Sequence, residues 1–438
     1  MRASPKKLPE KTSPFEIRAH LARHEAPMNT TARLRRATLA VAAILFPLAA
    51  LANSVPPPAI FCCDPAVLSN ARARANDPAF RPAYDRVLRE ADKALALKPL
   101  SVIDKKLTAD SGDKHDYLSL APYWWPDPAK PDGLPYIRRD GQVNPESKRD
   151  NDALKFVRIC NAVKTLGLAY YLTGRETYAE KAAMLTRVWF LDEATRMNPN
   201  LNHAQGIRGR NSGRGAGVLE GRHITALTDG LALIAASSAW PAEKQTAMRA
   251  WLESYHTWLT TSKIGLAEAA ANNNHGTWYA VQAAHLELAL GKTAVARRRV
   301  EKQLPHYIAT QIEPDGRQPH ELARTNSLHY SIFNLEPLFE LAQLGERAGY
   351  TGGWTHTTKD GRSLRAALAY VAPYLDPAKP WPKKDITPGK TARILPLLRA
   401  YLARQDDAQF KALYETYSVS TPDLAKERWH LLLPPLPR

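Results

Sequence analysis

Cysteine is scarce in this sequence, with three residues among 438. Cys62, Cys63 and Cys160 are too few for a disulfide framework, and they lack the spacing of a metal site. One bridge from Cys62 or Cys63 to Cys160 stays open. Strand-like alternation is nearly absent. The sequence has no Walker, zinc-finger or RNP motif and no Lys/Arg block typical of nucleic-acid arms. We therefore expect no nucleic-acid partner.

Acidic residues are in the minority, with 43 Asp/Glu against 60 Lys/Arg and a formal charge of +17. Residues 1–52 hold nine basic and three acidic residues, so the remainder keeps 51 against 40. A basic body suits an acidic partner such as nucleic acid, anionic lipid or a polyanionic sugar. A solvated basic surface without a specific partner explains the charge equally well.

The one apolar run belongs to a predicted signal peptide over residues 28–52. Three arginines precede an apolar core at 39–48, and Ala50-Leu51-Ala52 forms a small-x-small cleavage site. The core is too short to span a bilayer comfortably, although an uncleaved anchor is the alternative. Residues 1–27 are polar and without periodicity, so we interpret them as a non-native extension before the true initiator, Met28. We expect a periplasmic or secreted protein without a stable membrane anchor after cleavage.

Most of the remaining sequence has helical periodicity. After a Pro-rich lead over residues 53–84, apolar stripes recur at helical spacing, and turns with Gly or Pro join the segments in pairs. The clearest stripes are Phe156, Ile159, Val163, Leu166 and Tyr170; Tyr178, Ala182, Leu185 and Trp189; Met248, Leu252, Tyr255 and Leu259; and Leu364, Leu368, Val371 and Leu375. No repeat of fixed period is visible. Ten or more helices in one all-α domain over residues 85–438 favour an α/α toroid over a four-helix bundle.

Three stretches interrupt this helical pattern, at residues 115–144, 198–223 and 315–330. Each is rich in Asn, His, Arg or aromatic residues. Loops with such side chains are where a scaffold usually carries its functional site.

The segment from Asn272 to Tyr279 reads NNNHGTWY and directly precedes a predicted helix. Asn is a preferred N-cap, and capping alone would explain one of the three asparagines. It does not explain three followed by a histidine. We therefore interpret Asn274 and His275 as candidate catalytic residues.

A second candidate pair is Arg324 and Tyr330, six residues apart. If their segment is helical, both side chains can reach one pocket. The alternative is a buried tyrosine and an unrelated surface arginine.

These four residue types suit β-elimination on a uronate. The reaction removes the C5 proton next to a carboxylate, so an amide such as Asn274 and a cation such as Arg324 can stabilise the developing charge. Tyr330 suits both base and acid if its pKa falls, which a nearby arginine favours, and His275 is the second candidate base. No metal or cofactor is required.

Three separated motifs closely resemble the alginate lyase superfamily of bacterial polysaccharide lyases: NNNHGTWY, HDYLSLAPYWWPDP with GLPYIRRDGQVNPE, and PDGRQPHELARTNSLHYS. The resemblance runs over roughly residues 85–400. It implies an incomplete α/α toroid of helical hairpins with a cleft across one end. It also implies that Asn274 and Arg324 neutralise the carboxylate, that Tyr330 is base and acid, and that His275 is an alternative base or a neutralising donor.

The resemblance further implies an acidic polysaccharide substrate of alginate or glucuronan type, cleaved to leave an unsaturated uronate at the new non-reducing end. Around the four catalytic candidates we expect aromatic residues that stack on sugars and polar residues that bind carboxylates. Core packing or a plain surface position is the alternative for each. The predicted substrate-binding residues are Tyr123, Trp124, Trp125, His203, Arg210, Arg214, Arg222, Asn273, Tyr279 and His320.

Two other functions compete with a lyase. A glycoside hydrolase needs two suitably placed carboxylates, and the acidic residues near the motifs form no obvious pair. These residues are Asp127, Asp132, Glu220 and Glu321. A non-catalytic periplasmic glycan-binding protein is the second alternative, and the intact Asn-His-Arg-Tyr set argues against it. The sequence does not indicate an oligomeric state.

Overall fold

Helices form most of the structure, a computed structural model that describes residues 59–421 and 423–436. The predicted signal peptide and the residues before it lie outside the described residues. The α-helices are α1 (Pro65–Ala73), α2 (Arg81–Leu95), α3 (Ala153–Thr173), α4 (Glu176–Phe190), α5 (Ile224–Leu233), α6 (Ala242–Thr261), α7 (Lys263–Ala269), α8 (Asn274–Ala289), α9 (Thr293–Gln311), α10 (Pro319–Leu322), α11 (Ser327–Arg347), α12 (Leu364–Val371), α13 (Ile394–Leu402), α14 (Ala408–Ser420) and α15 (Trp429–Leu432).

Strands are few and short in the described residues. β1 (Leu118–Leu120) pairs in parallel with β4 (His203–Gly206), and β2 (Trp124–Trp125) pairs antiparallel with β3 (Ile137–Arg138). Six short 3-10 helices complete the regular structure: Val102–Asp104, Pro145–Lys148, Gly215–His223, Ala372–Leu375, Thr391–Arg393 and Leu424–Lys426.

Helical hairpins arise where one amphipathic helix follows another across a short turn. α3 and α4 bury the predicted stripes that begin at Phe156 and Tyr178, and the two helices pack against each other. Gly174 separates them in the left-handed region, at φ 71°, which glycine adopts without the strain of a side chain. The predicted all-α fold, an incomplete (α/α) toroid of helical hairpins in one domain, is confirmed.

A close crossing of α3 and α5 depends on two glycines. A Cβ added at Gly167 would lie 2.4 Å from the Gly230 carbonyl oxygen, and one added at Gly230 would lie 2.7 Å from the Lys164 nitrogen. The two helices therefore approach more closely than any side chain at these positions would permit.

Helix α8 lies between two hydrophobic clusters. Tyr279 and Leu286 pack into one cluster, built mainly by α1 to α6, while Val281 and Leu288 pack into the other, built by α9 and α11 to α14. The helix is buried almost all round, and its buried residues include the polar side chains of Gln282, His285 and Glu287. Its N-terminus, with the Asn-His motif, is held at the point where the two clusters meet.

Several smaller expectations can be compared with the structure. All three cysteines are free thiols, so Cys160 forms no bridge with Cys62 or Cys63. The third predicted loop ends earlier than expected, because α11 begins at Ser327 and contains Tyr330. Among the described residues, the helices are all too short or too polar to cross a membrane.

Candidate active site

A cleft of about 960 Å³ opens where the β2 turn, the start of α8 and the start of α11 come together. Its charged lining is entirely basic in the part of the chain that the structure describes, with no Asp or Glu. The basic lining residues are Arg138, Arg214, Arg222, Arg324, Lys390 and Arg393. Such a lining attracts polyanions and leaves no pair of carboxylates for acid and base work in the cleft.

The N-terminus of α8 brings the asparagine-histidine motif into this cleft. Asn273 is the N-cap, and its side-chain oxygen accepts the backbone N–H of His275 at 3.1 Å. Gly276 follows because a Cβ there would lie 2.0 Å from the Ala271 carbonyl oxygen. Asn273, Asn274 and His275 all line the cleft.

His275 has a buried carboxylate partner. Its Nδ1 lies 2.6 Å from Oε1 of Glu268, which is 3% exposed and comes from α7. An ionised carboxylate only accepts hydrogen bonds, so the neutral imidazole carries its proton on Nδ1 and keeps a lone pair on Nε2. This is the tautomer that a general base requires.

Asn274 is bound to a second buried carboxylate, Glu321 of α10. Its backbone N–H donates to Glu321 Oε1 at 2.8 Å, and its side-chain Nδ2 lies 2.9 and 2.8 Å from Oε1 and Oε2. Both residues are 1% exposed. The expected amide donor therefore already gives its hydrogens to Glu321, and Oδ1 has no partner among the described residues.

Arg324 lies over the aromatic face of Tyr330, with its guanidinium carbon 3.7 Å from the ring centroid. Asp140 holds it in place, through Nη2 at 2.7 Å and Nε at 3.1 Å. Although partial burial acts to raise it, hydrogen bonds from Arg324 and Thr325 lower the pKa of Asp140 to about 2. Arg324 is thus a fixed cation in the cleft wall.

The hydroxyl of Tyr330 lies 2.7 Å from the hydroxyl of Tyr123. Burial and the neighbouring Tyr123 raise the pKa of Tyr330, and Arg324 only partly opposes them. Arg324 favours the phenolate, as expected, but burial and the neighbouring Tyr123 outweigh it, so the pKa of Tyr330 does not fall. Tyr330 is a neutral phenol here, which suits a proton donor.

Adjacent tryptophans face different surroundings because side chains alternate along a strand. Trp124 lines the cleft, with Arg210 and Arg214 5.1 and 6.0 Å from its ring centroid. Trp125 lies outside the cleft lining, where its Nε1 donates to the Gln142 carbonyl at 2.9 Å.

Two predicted binding residues, Arg214 and Arg222, line the cleft and are held there by different hydrogen bonds. Arg214 donates to the Gln205 side chain at 2.8 Å, and Arg222 donates to the Leu219 carbonyl at 2.9 Å. The Arg222 guanidinium also lies 5.7 Å from the centre of the Phe333 ring, which lines the cleft.

Besides Trp125, four predicted binding residues lie outside the cleft lining. Tyr279 is a core residue, 3% exposed, because α8 turns it into the first cluster. His203 lies 3.5 Å from Asp116, and Arg210 donates to the Tyr136 carbonyl at 2.9 Å. His320 is exposed on α10, whose buried residues are Glu321 and Leu322.

The residues that hold the candidate catalytic groups in place were harder to predict from the sequence than those groups themselves. The sequence motifs do not single out Glu268, and they indicate a structural or supporting role for Glu321 within the third motif. Lys390 and Arg393, which also line the cleft, come from a stretch without any motif. The sequence signal that could have identified Glu268 is its position, seven residues before His275 and near the end of the preceding helix.

The chain is similar to known alginate lyases in sequence and in structure. The family model described as alginate lyase matches residues 101–381. A crystal structure of an alginate lyase from Bacteroides ovatus superposes with a TM-score of 0.82 and 40% identity, covering 86% of this chain and 99% of that one. None of the curated proteins compared with the chain matches it.

Two more distant structures share the fold alone. Both are alginate lyase A1-III variants complexed with tetrasaccharide, each at 16% identity and covering 87% of this chain and 98% of that one. The histidine-to-alanine variant has a TM-score of 0.51, and the tyrosine-to-phenylalanine variant 0.50. A helical toroid with a basic cleft, together with these matches, defines a polysaccharide lyase. Within that class, the chain belongs to the alginate lyase family.

Proposed function

We propose that the protein cleaves a uronate-containing polysaccharide, alginate or a glucuronan, by β-elimination. The observation that carries this proposal is the cleft itself, which joins His275, Arg324 and Tyr330 within a lining that holds basic residues and no carboxylate among the described residues. The 40% identical alginate lyase makes alginate the first substrate to test.

The uronate carboxylate binds beside Arg324 and Asn274. A fixed guanidinium lowers the energy of the negative charge that spreads onto the carboxylate as the C5 proton leaves. Arg393 and Lys390, which also line the cleft, bind the carboxylates of neighbouring sugars, and Trp124 offers a ring face for stacking.

The elimination needs one base and one acid. Nε2 of His275 takes the C5 proton, the C5–H electrons form the C4=C5 double bond, and the bond from C4 to the glycosidic oxygen breaks. Tyr330 donates its phenolic proton to that oxygen. The Glu268 carboxylate stabilises the imidazolium of His275. The proton on Nε2 then returns to the Tyr330 phenolate through solvent. The product carries an unsaturated uronate at its new non-reducing end.

Tyr330 as both base and acid is the competing assignment. It requires a phenolate in the resting enzyme, and the raised pKa of Tyr330 opposes that state. The His275–Glu268 contact favours the histidine as base.

The decisive experiment measures ultraviolet absorbance of the conjugated product during incubation with polymannuronate, polyguluronate and glucuronan. Carboxyl-reduced samples of the same polymers are the matched controls. We expect absorbance to rise with at least one polyuronate and with none of the reduced polymers. Cleavage without any absorbance change would show hydrolysis, and no cleavage of any polyuronate would overturn the proposal.

We further propose that the protein is exported to the periplasm or secreted, on the strength of the signal-peptide pattern over residues 28–52. Mass spectrometry of protein from the periplasm or medium should find an N-terminus at Asn53. An intact N-terminus at Met1 or Met28 in the cytoplasmic fraction would contradict export.

A further inference from the structure

The Asn274–Glu321 contact conflicts with the role that the elimination needs from Asn274. An ionised carboxylate accepts hydrogen bonds and cannot donate them. While Glu321 is ionised, its two oxygens therefore hold the backbone N–H and the Nδ2 group of Asn274. The side chain of Asn274 lines the cleft. Its remaining amide atom, Oδ1, is buried and has no hydrogen-bond partner among the described residues. An oxygen in that position repels the carboxylate of a bound uronate.

Protonation of Glu321 would remove the conflict without moving the backbone. Oε1 would still accept the Asn274 backbone N–H, and the new Oε2–H would donate to Oδ1 of Asn274. The amide would then have rotated by half a turn, with Nδ2 free to donate to a ligand. Each polar atom of the pair would have a partner, including the atom that now lacks one.

The surroundings of Glu321 make its proton affinity sensitive to a bound anion. Each hydrogen bond to its carboxylate from the described residues comes from Asn274. Arg324 and His275 are the charged or titratable groups that face it, while Lys383 is bound to the Leu322 carbonyl at 3.0 Å. Burial raises the pKa of Glu321, and the bonds from Asn274 and the field of Arg324 oppose that rise. A uronate carboxylate nearby adds a like charge and favours the protonated form further.

We propose that Glu321 is a positioning residue, which takes up one proton from solvent as the uronate carboxylate binds and thereby turns Asn274 into a donor. Product release reverses both changes. The inference rests on the proposed lyase function and adds a proton-coupled step to substrate binding. It gives activity an alkaline limit that belongs to Glu321, since the raised pKa of Tyr330 keeps that phenol protonated well beyond neutrality.

The variant Glu321→Gln tests the orientation directly. A glutamine has the hydrogen-bonding pattern of the protonated acid, because its Nε2 donates to Oδ1 of Asn274 and its Oε1 accepts the backbone N–H. We expect kcat/KM within about threefold of the wild type at the optimum, and an alkaline limb displaced upward by about one pH unit or more. Glu321→Ala removes the anchor for Asn274, and we expect it to lose about tenfold or more at every pH.

Two results with Glu321→Gln would overturn the inference. A loss as large as that of Glu321→Ala at every pH would show that the anion itself is required. An alkaline limb identical to that of the wild type would show that Glu321 carries no titrating proton in the active complex. Matching thermal unfolding of the variants is the control for a folding defect.

A second measurement does not depend on how the Glu321 variants fold. Calorimetric binding of an oligouronate to the slow variant Tyr330→Phe, in buffers of different ionisation enthalpy, counts protons taken up. We expect uptake approaching one proton per ligand at pH values where free Glu321 is ionised, and none in the double variant with Glu321→Gln. Zero uptake by Tyr330→Phe at every pH would refute proton coupling. Failure of the lyase function is a separate result, namely no unsaturated product from the wild type.

Discussion

Nδ1 of His275 and Oε1 of Glu268 lie 2.6 Å apart, and this contact determines which ring nitrogen faces the cleft. Glu268 is inaccessible to solvent because α7 packs against α8 and the 3-10 helix over Gly215–His223. The imidazole is therefore oriented by a carboxylate that water does not reach. A histidine held in this way needs no rearrangement before it accepts a proton.

Replacing Glu268 with glutamine should remove the base without removing the histidine. The glutamine amide can donate to Nδ1, which moves the ring proton to Nε2. We expect kcat to fall about 10²- to 10⁴-fold with little change in KM. The exposed Glu253→Gln, from a pair with Arg249, is the control and should leave both constants unchanged. A kcat close to that of the wild type would transfer the base role to Tyr330.

Tyr330→Phe and Tyr123→Phe separate proton donation from support of the donor. The first removes the proposed acid, and we expect kcat to fall about 10²- to 10⁴-fold while oligouronate binding persists. The second removes only the hydroxyl that lies 2.7 Å from Tyr330, and should cost about tenfold or less. Initial rates from product absorbance check both. Equal losses would mean that the two hydroxyls act as one unit.

The Asp140–Arg324 pair should make stability depend on pH in a defined window. The pKa of Asp140 falls from the usual 3.8 to about 2 on folding, so its stabilisation is present above 3.8 and lost as the pH drops through 2. We expect Asp140→Asn to lower the free energy of unfolding by about 2 kcal/mol at neutral pH. In denaturant titrations the difference should shrink as the pH approaches 2 and vanish below it.

The matched control for Asp140 is Asp315→Asn. Asp315 and its partner Arg317 are both more than half exposed, so this change should cost under about 0.5 kcal/mol. A pH-independent effect of Asp140→Asn would mean that lost packing, and not the charge, causes the destabilisation.

Arg393 provides a test of carboxylate binding by the basic cleft lining. Arg393→Gln should raise KM for a polyuronate about tenfold and change kcat less, because it removes a carboxylate contact and none of the proposed proton-transfer groups. Added salt should raise the wild-type KM more than that of the variant. Arg208→Gln is the control, since Arg208 pairs with Glu146 outside the cleft lining. An unchanged KM in Arg393→Gln would remove this residue from substrate binding.

Gly167→Ala tests the close crossing of α3 and α5. The added methyl group would meet the Gly230 carbonyl oxygen at 2.4 Å, so the helices must separate or bend. We expect a loss of about 1–3 kcal/mol in unfolding free energy. Unchanged stability, measured by denaturant titration, would mean that the two helices move apart without cost.

Much of the fold could be predicted because helix periodicity is a local property. The stripes that begin at Phe156 and Tyr178 identified α3 and α4, and the polar segment at Asn273 identified the start of α8. The α11 boundary was less predictable, since Tyr330 lies in a segment whose polar residues also fit a loop. Its helix is stabilised by packing against α8 and α9, which sequence alone does not reveal.

The reacting groups were easier to predict than their partners. His275 and Asn274 share one short motif, whereas Glu321 meets Asn274 across 47 positions of sequence and Asp140 meets Arg324 across 184. Such pairs follow from the tertiary arrangement of helices. The different positions of Trp124 and Trp125 follow from local strand geometry. They could not be predicted, because a two-residue strand is too short to show an alternating pattern in the sequence.

The position of the reacting histidine depends on the packing of helix α8 against both hydrophobic clusters. Because both halves of the interior converge on this helix, neither half can loosen while the reacting histidine keeps its position. Loss of catalysis on heating should therefore coincide with global melting, in contrast to enzymes whose sites lie on loops that open locally. Substitutions that strengthen either half should extend the working temperature of the enzyme without any change in the cleft.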